Sequence, residues 1–183
     1  MEELIRVLIE EDPDQSYEAH TELVRLGAQS VEPLLASLFG ASDRDCWRIL
    51  KTLTSIGDSR AISGAIQCMH SNSAAVLAAS AQCLAEIGGD EAVEALLTLV
   101  ENYPRSVSMM WIIQALSSLN DPRIAPTLIR LVETTSSSVD RYTAIEALAR
   151  IGDKRAISVI QRFANDENHH VRSKAHMALQ MLA

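Results

Sequence analysis

The chain has 183 residues, 48% hydrophobic and 22% charged, which marks a globular protein and excludes a disordered one. Its net charge of −8 and isoelectric point near 5.1 repel phosphate backbones and exclude a nucleic-acid-binding surface as the main function. Aromatics make up only 4%, so the core is built from Leu, Ile, Val and Ala, side chains that suit close-packed helices.

The elements follow one another with a fixed period. A first helix is expected at 2–11, with the apolar run Leu4-Ile5-Arg6-Val7-Leu8-Ile9. Its acidic start, Met1-Glu2-Glu3, lacks the basic residues of a secretory leader, and the run Glu10-Glu11-Asp12 reads as a solvated helix end. Five hairpins then follow, with helices expected at 14–26 and 30–39, 43–56 and 59–70, 73–87 and 90–102, 105–119 and 122–134, and 138–151 and 154–166. A last helix is expected at 168–182.

The first helix of each hairpin closes on a shared signature. It runs Leu23-Val24-Arg25-Leu26-Gly27, Leu53-Thr54-Ser55-Ile56-Gly57, Leu84-Ala85-Glu86-Ile87-Gly88, Leu116-Ser117-Ser118-Leu119-Asn120 and Leu148-Ala149-Arg150-Ile151-Gly152, and returns at Leu179-Gln180-Met181-Leu182-Ala183. The leading leucines lie 30, 31, 32, 32 and 31 residues apart. Four residues before each comes a second column, Ala19, Ile49, Ser80, Ile112, Ala144 and Ala175, small or aliphatic as hairpin-on-hairpin packing requires. The Gly or Asn that closes the signature is expected to stop the helix in a left-handed conformation. Asp58, Asp121 and Asp153 then cap the helix that follows, Pro122 sits just inside its start, and Pro33 and Pro126 fall early in theirs.

These features define an all-α fold: a right-handed α-solenoid of about five to six two-helix repeats and about 12 helices. The expected organisation is one domain, 1–183. It comprises a half-repeat 1–11, repeats 12–40, 41–71, 72–103, 104–136 and 137–166, and a terminal half-repeat 167–183. No linker-like composition shift divides it.

Two stretches carry a family resemblance. Ala147-Leu148-Ala149-Arg150-Ile151-Gly152-Asp153-Lys154-Arg155-Ala156-Ile157 and Asp166-Glu167-Asn168-His169-His170-Val171-Arg172-Ser173-Lys174-Ala175 resemble HEAT repeats, in particular the short HEAT-like repeats of phycobilisome lyases and bacterial scaffold proteins. The Val-Arg pair of the family stands clearly only at Val171-Arg172. Equivalent positions hold Asp45-Cys46, Val76-Leu77, Ser108-Met109 and Asp140-Arg141. The resemblance implies a repeat surface for holding another protein and, as an alternative, a phycobilin lyase subunit or phycobilisome-related accessory factor acting on bilin-carrying proteins.

No catalytic constellation is evident. Cys46, Cys68 and Cys83 have no metal-like spacing and read as reduced, small core residues of a cytoplasmic protein. His169, His170 and His176 cluster near the end but find no third ligand on their helix, so no metal and no cofactor is expected. The iron-binding deoxyhypusine hydroxylases resemble the fold, yet their His-Glu pairs are missing here. HEAT-like DNA glycosylases resemble it too, but their groove must be basic. The most apolar stretch, around 74–81, is far too short to span a bilayer.

The expected partner is therefore another protein, held on the concave face that the second helices line. Its non-core positions are Glu32, Ser63, Gln67, Glu94, Thr98, Arg130, Ser158 and Arg162, acidic or neutral in the first three repeats and basic in the last two. Trp47 divides between packing and partner contact, and Trp111, within Met109-Met110-Trp111-Ile112-Ile113, reads as core. The unlike ends, a lone second-type helix and a lone first-type helix, allow head-to-tail self-association.

Overall fold

The computed structural model describes residues 1–10, 12–102 and 109–183. Glu11 of the acidic run, the opening of the helix expected at 105–119 and the Ser108 repeat position lie outside the described residues. Among the described residues the chain forms twelve α-helices and no strand. They divide between two compact units, Met1–Ala92 and Val93–Ala183.

The first unit contains α1 (Glu2–Ile9), α2 (Pro13–Leu26), α3 (Ala28–Leu38), α4 (Asp43–Ile56), α5 (Ala61–Cys68), α6 (Ala74–Ile87) and the start of α7 (Gly89–Asn102). Within it α4 is central and packs on α2, α3, α5 and α6. The second unit contains the rest of α7, α8 (Met110–Ser118), α9 (Ile124–Thr134), α10 (Ser138–Ile151), α11 (Ile157–Gln161) and α12 (His169–Leu182). Here α10 is central and packs on α8, α9 and α12.

The repeat columns explain this packing. Leu23, Leu53, Leu84, Leu116 and Leu148 are fully buried, and only Leu179 remains half-buried. The second column is buried throughout, Ser80 included; its hydroxyl donates to the Val76 carbonyl at 2.8 Å. Each Leu or Ile so buried contributes about 1.5–3 kcal/mol of hydrophobic stabilisation, set against the conformational entropy of ordering the chain.

Side chains satisfy the helix ends. Asp12, Ser42, Ser137 and Asn168 accept backbone N–H groups at the starts of α2, α4, α10 and α12. The arginine of the Val-Arg position bonds the chain that precedes its own helix. Arg141 donates to the carbonyls of Val132 (3.2 Å), in the last turn of α9, and Thr135 just beyond it, supplying donors that the last turn of a helix lacks, while Arg172 donates to that of Asp166 at 2.5 Å in the connection before α12. Arg141 also lies 5.0 Å from the centre of the Phe163 ring.

The structure differs from the sequence reading at several points, among them Pro122, which precedes the first residue of α9, Ile124, rather than lying inside the helix. Gly57 and Gly152 do end their helices left-handed, at φ 72° and 77°. Gly27 and Gly88 have positive φ but extended ψ of −129° and −153°, a region open to glycine and outside the left-handed helix, and Asn120 does not have positive φ at all: no described residue other than glycine does. Without glycine, α8 stops at Ser118 and leaves through Leu119 in an extended conformation. Pro33 is the sixth residue of α3 rather than part of its first turn, because that helix already starts at Ala28. The helix expected at 154–166 is a 3-10 turn (Lys154–Ala156) followed by α11. It ends at Gln161 because Arg162, Phe163 and Ala164 donate to carbonyls three residues back, in tighter turns than an α-helix. Trp111, expected in the core, is half-buried.

Candidate partner-binding surface

The second helices α3, α5, α7, α9 and α11 carry a polar surface set up by the turns that precede them. In three turns an aspartate is followed two residues later by arginine. Asp58 Oδ1 accepts the Arg60 backbone N–H (3.0 Å) and Nε (2.9 Å), while Oδ2 accepts Nη2 at 2.8 Å. Asp121 with Arg123 and Asp153 with Arg155 repeat the arrangement. The guanidinium hydrogen bonds hold the Asp58 carboxyl down to about 2, and those of Asp121 and Asp153 below the ordinary carboxylate range. Of the three aspartates expected to cap helices, only Asp153 does so, on the 3-10 turn. Asp58 and Asp121 bond the N–H of Arg60 and Arg123, the residues before α5 and α9, and brace the turn instead, and each of the three also pins an arginine in one orientation.

Arg60 and Arg123 from these turns, and Arg130 and Arg162 beyond them, reach back one repeat. Arg60 Nη1 lies 3.2 Å from Glu32 and its Nη2 donates to the Ala28 carbonyl at 2.9 Å. In the second unit Arg123 pairs with Glu94 at 3.3 Å, Arg130 with Glu101, and Arg162 with Glu133 at 2.5 Å. Each pair spans 28 or 29 residues, slightly less than the repeat period. The result is a series of exposed ion pairs joining each second helix concerned to the one before it. Exposed pairs of this kind stabilise little individually, about 0–1 kcal/mol. Their larger effect is to fix charged side chains in place.

All eight second-helix positions singled out from the sequence are exposed. Glu32, Ser63 and Gln67 lie in the first unit; Glu94, Thr98, Arg130, Ser158 and Arg162 lie in the second. Their charge differs from the sequence reading. The positive charge assigned to the last two repeats is matched on the spot, because Glu101 faces Arg130 and Glu133 faces Arg162. Sequence reasoning missed these two glutamates, although their spacing from the arginines was a usable signal. Beside Arg130 the second unit has a recess of about 320 Å³, lined by Thr127, Thr134, Thr135, Val100 and Met109 among others.

The first helices present a different surface. Among the described residues, the large apolar side chains exposed on helices lie there: Tyr17 on α2, Trp47 on α4, Val139 on α10, and Met177 and Met181 on α12. Trp47 is 43% exposed and Tyr17 71%. They occupy the same repeat position, six residues before Leu53 and Leu23. Tyr17 was missed because only the tryptophans were weighed. On α12, Met177 and Met181 line a shallow groove of about 110 Å³ with Ala149 and Ala178, rimmed by Glu146, Arg150 and Lys174.

Reactive chemistry finds little to work with. Cys68 and Cys83 are buried, and burial raises both thiols, Cys68 to about 12 with a further push from Cys46. Burial raises the half-buried Cys46 as well. A thiol so shifted is largely protonated at neutral pH and is a poor nucleophile. His169, His170 and His176 are exposed, and among the described residues no three His, Cys, Asp or Glu side chains are grouped to hold a metal ion. None of the described helices is long and apolar enough to cross a membrane.

Comparisons with known proteins agree with the architecture. A family model described as HEAT repeats matches residues 46–117, 62–149 and 125–183. A chain from the complex of CpcE and CpcF of phycocyanin lyase from Nostoc sp. PCC7120 is similar at a TM-score of 0.62 and 22% identity, over 79% of this chain and 95% of that one. A designed armadillo repeat protein in complex with the peptide (KR)4 is similar at 0.56 and 17%, over 99% and 98%. Human deoxyhypusine hydroxylase is similar at 0.50 and 14%, over 99% and 95%. At such identities the likeness is one of fold. No curated protein sequence matches the chain.

Proposed function

The chain belongs to the HEAT-repeat family, and from that premise we propose that it is a non-catalytic protein-interaction scaffold of the cytoplasm, acting as one repeat array that holds a partner protein on its second-helix face. The observation that carries this reading is the exposure of all eight positions on that face, with four of them held in place by repeat-spaced ion pairs. Side chains already fixed before binding lose little further freedom when a partner arrives, which is how preorganisation favours affinity. Two of the similar structures are themselves complexes, one of two proteins and one with a peptide. The raised thiols and the lack of a grouped metal-ligand set among the described residues support a binding role over a catalytic one.

The test is the affinity of a partner, once identified from the host, for variants of this face. Arg130→Glu with Arg162→Glu places like charges opposite Glu101 and Glu133, and is expected to weaken binding by about tenfold or more. Unchanged affinity in a folded double variant would sink the second-helix reading.

A second reading is a phycobilin lyase subunit or phycobilisome-related accessory factor, motivated by the similarity to the phycocyanin lyase complex. A bilin carries carboxylates and a flat conjugated body, so it wants arginine beside aromatic surface. None of the five second helices contains an aromatic residue, which is why this reading stands second. A shifted, sharpened visible absorption on mixing the protein with bilin would promote it; an unaltered bilin spectrum would remove it.

A further inference from the structure

Charge is distributed very unevenly. Residues 1–92 contain fifteen Asp and Glu against six Lys and Arg, a net −9, whereas residues 93–183 contain nine against ten, a net +1. The chain's whole negative excess therefore sits in the Met1–Ala92 unit. The same unit holds the three aromatic side chains that are exposed among the described residues, Tyr17, Trp47 and Phe39, the last 88% exposed at the C-terminus of α3. Elsewhere in a chain with only 4% aromatics, the described aromatic side chains are half-buried.

We propose that the first-helix face of the Met1–Ala92 unit, centred on Tyr17 and Trp47, docks a cationic, arginine-bearing segment of a partner protein. Tyr17 and Trp47 stand at one repeat position on α2 and α4, and these helices are in contact: His20, stacked against Tyr17 at 6.5 Å, meets the Thr52 hydroxyl at 2.9 Å. Two ring faces one repeat apart suit an extended segment better than a single small molecule. Phe39 directly precedes the connection into α4, at the end where Trp47 lies.

The surroundings select the sign of the partner. Asp14 and Glu18 flank Tyr17, and Asp43 lies one turn before Trp47; all three are exposed. The nearby bases keep their charge but spend donors on neutral groups or other partners, so the sign is set by the net −9 of the whole unit. Arg48 donates to the Leu8 and Glu10 carbonyls, Lys51 to Gln82 at 3.1 Å, and Arg44 also has a partner. An aromatic face with carboxylates at its margin attracts a guanidinium twice, through the ring quadrupole and through charge. A phosphate backbone meets repulsion at the same place. This surface uses residues distinct from the second-helix positions, so the two readings stand or fall separately.

The experiment is calorimetric titration of the full chain, at low and at physiological salt, with short alternating arginine–glycine, lysine–glycine and glutamate–glycine peptides. The arginine peptide is expected to bind with a salt-sensitive affinity, the lysine peptide several-fold more weakly, and the glutamate peptide not at all. Tyr17→Ala and Trp47→Ala should each weaken arginine-peptide binding by about fivefold with unchanged circular dichroism, and Asp14→Asn with Asp43→Asn should flatten the salt dependence. The proposal is overturned if the arginine peptide fails to bind, if the Tyr17→Ala/Trp47→Ala double variant binds it like the parent, or if lysine and arginine peptides bind equally.

Discussion

Asp140 accepts a hydrogen bond from the backbone N–H of Met109 at 2.9 Å, across 31 residues of sequence. Its side chain is only 2% exposed and occupies the position where the repeats at Val76 and Val171 bury a valine. What looks like decay of the repeat pattern is thus a carboxylate that joins the start of one first helix to the segment preceding another. Asp140→Val restores the apolar residue of the other repeats and should nonetheless destabilise the protein by about 1–3 kcal/mol, because a buried N–H loses its acceptor. Urea unfolding of the variant checks this; a gain in stability would mean that the pattern, not the bond, governs the site.

His20 carries a pH dependence. Burial, and then the charge on Lys51, lower its affinity for a proton in the folded state below the ordinary value near 6.5. The unfolded chain binds that proton more readily, so the contribution of neutral His20 is complete above about pH 6.5 and declines as acid is added. Stability measured by urea unfolding should fall between pH 7.5 and 5.5, and His20→Asn should reduce the slope. An identical slope in the variant would assign the pH dependence to other groups.

Gly64 marks a close approach. A Cβ built there would lie 2.5 Å from Leu35 Cδ2 and 2.9 Å from Leu38 Cδ1, so α5 packs on α3 with no room for a side chain. The leucine ends can rotate away from a single methyl group, and alanine also favours the helix. Gly64→Ala is therefore expected to change stability little, whereas Gly64→Leu should cost about 1–3 kcal/mol through overpacking. Paired thermal melts of the two variants separate crowding from helix propensity.

Thiol reactivity should rank with burial. In the native protein Cys46 is expected to react with a maleimide or disulfide reagent well before Cys68 and Cys83, and all three should react quickly in denaturant. Mass mapping of the labelled sites gives the order. Fast native labelling of Cys68 would contradict its raised thiol.

Much of the fold was readable because the repeat columns are apolar side chains with one job. Leu23 through Leu148 announce a buried face whatever their neighbours do, and the Asp-to-Arg turns announce a helix start. The reading failed where a position depended on a distant partner. Asn120 looked like a left-handed stop because asparagine tolerates that conformation, but the chain left the helix two residues earlier. Arg130 and Arg162 looked like free positive charge because Glu101 and Glu133 lie nearly a full repeat away, outside any local window. Tyr17 passed unnoticed because its equivalence to Trp47 is a matter of register, visible only once the first helices are aligned.

The charge imbalance also bears on how the molecule melts. Nine excess negative charges within one unit repel one another, and dissolved ions weaken that repulsion over a screening distance of about 10 Å at 0.1 M salt. The Val93–Ala183 unit, nearly neutral, has little such repulsion to relieve. Ionic strength thus acts as a selective lever: added salt should firm up the acidic unit far more than the nearly neutral one.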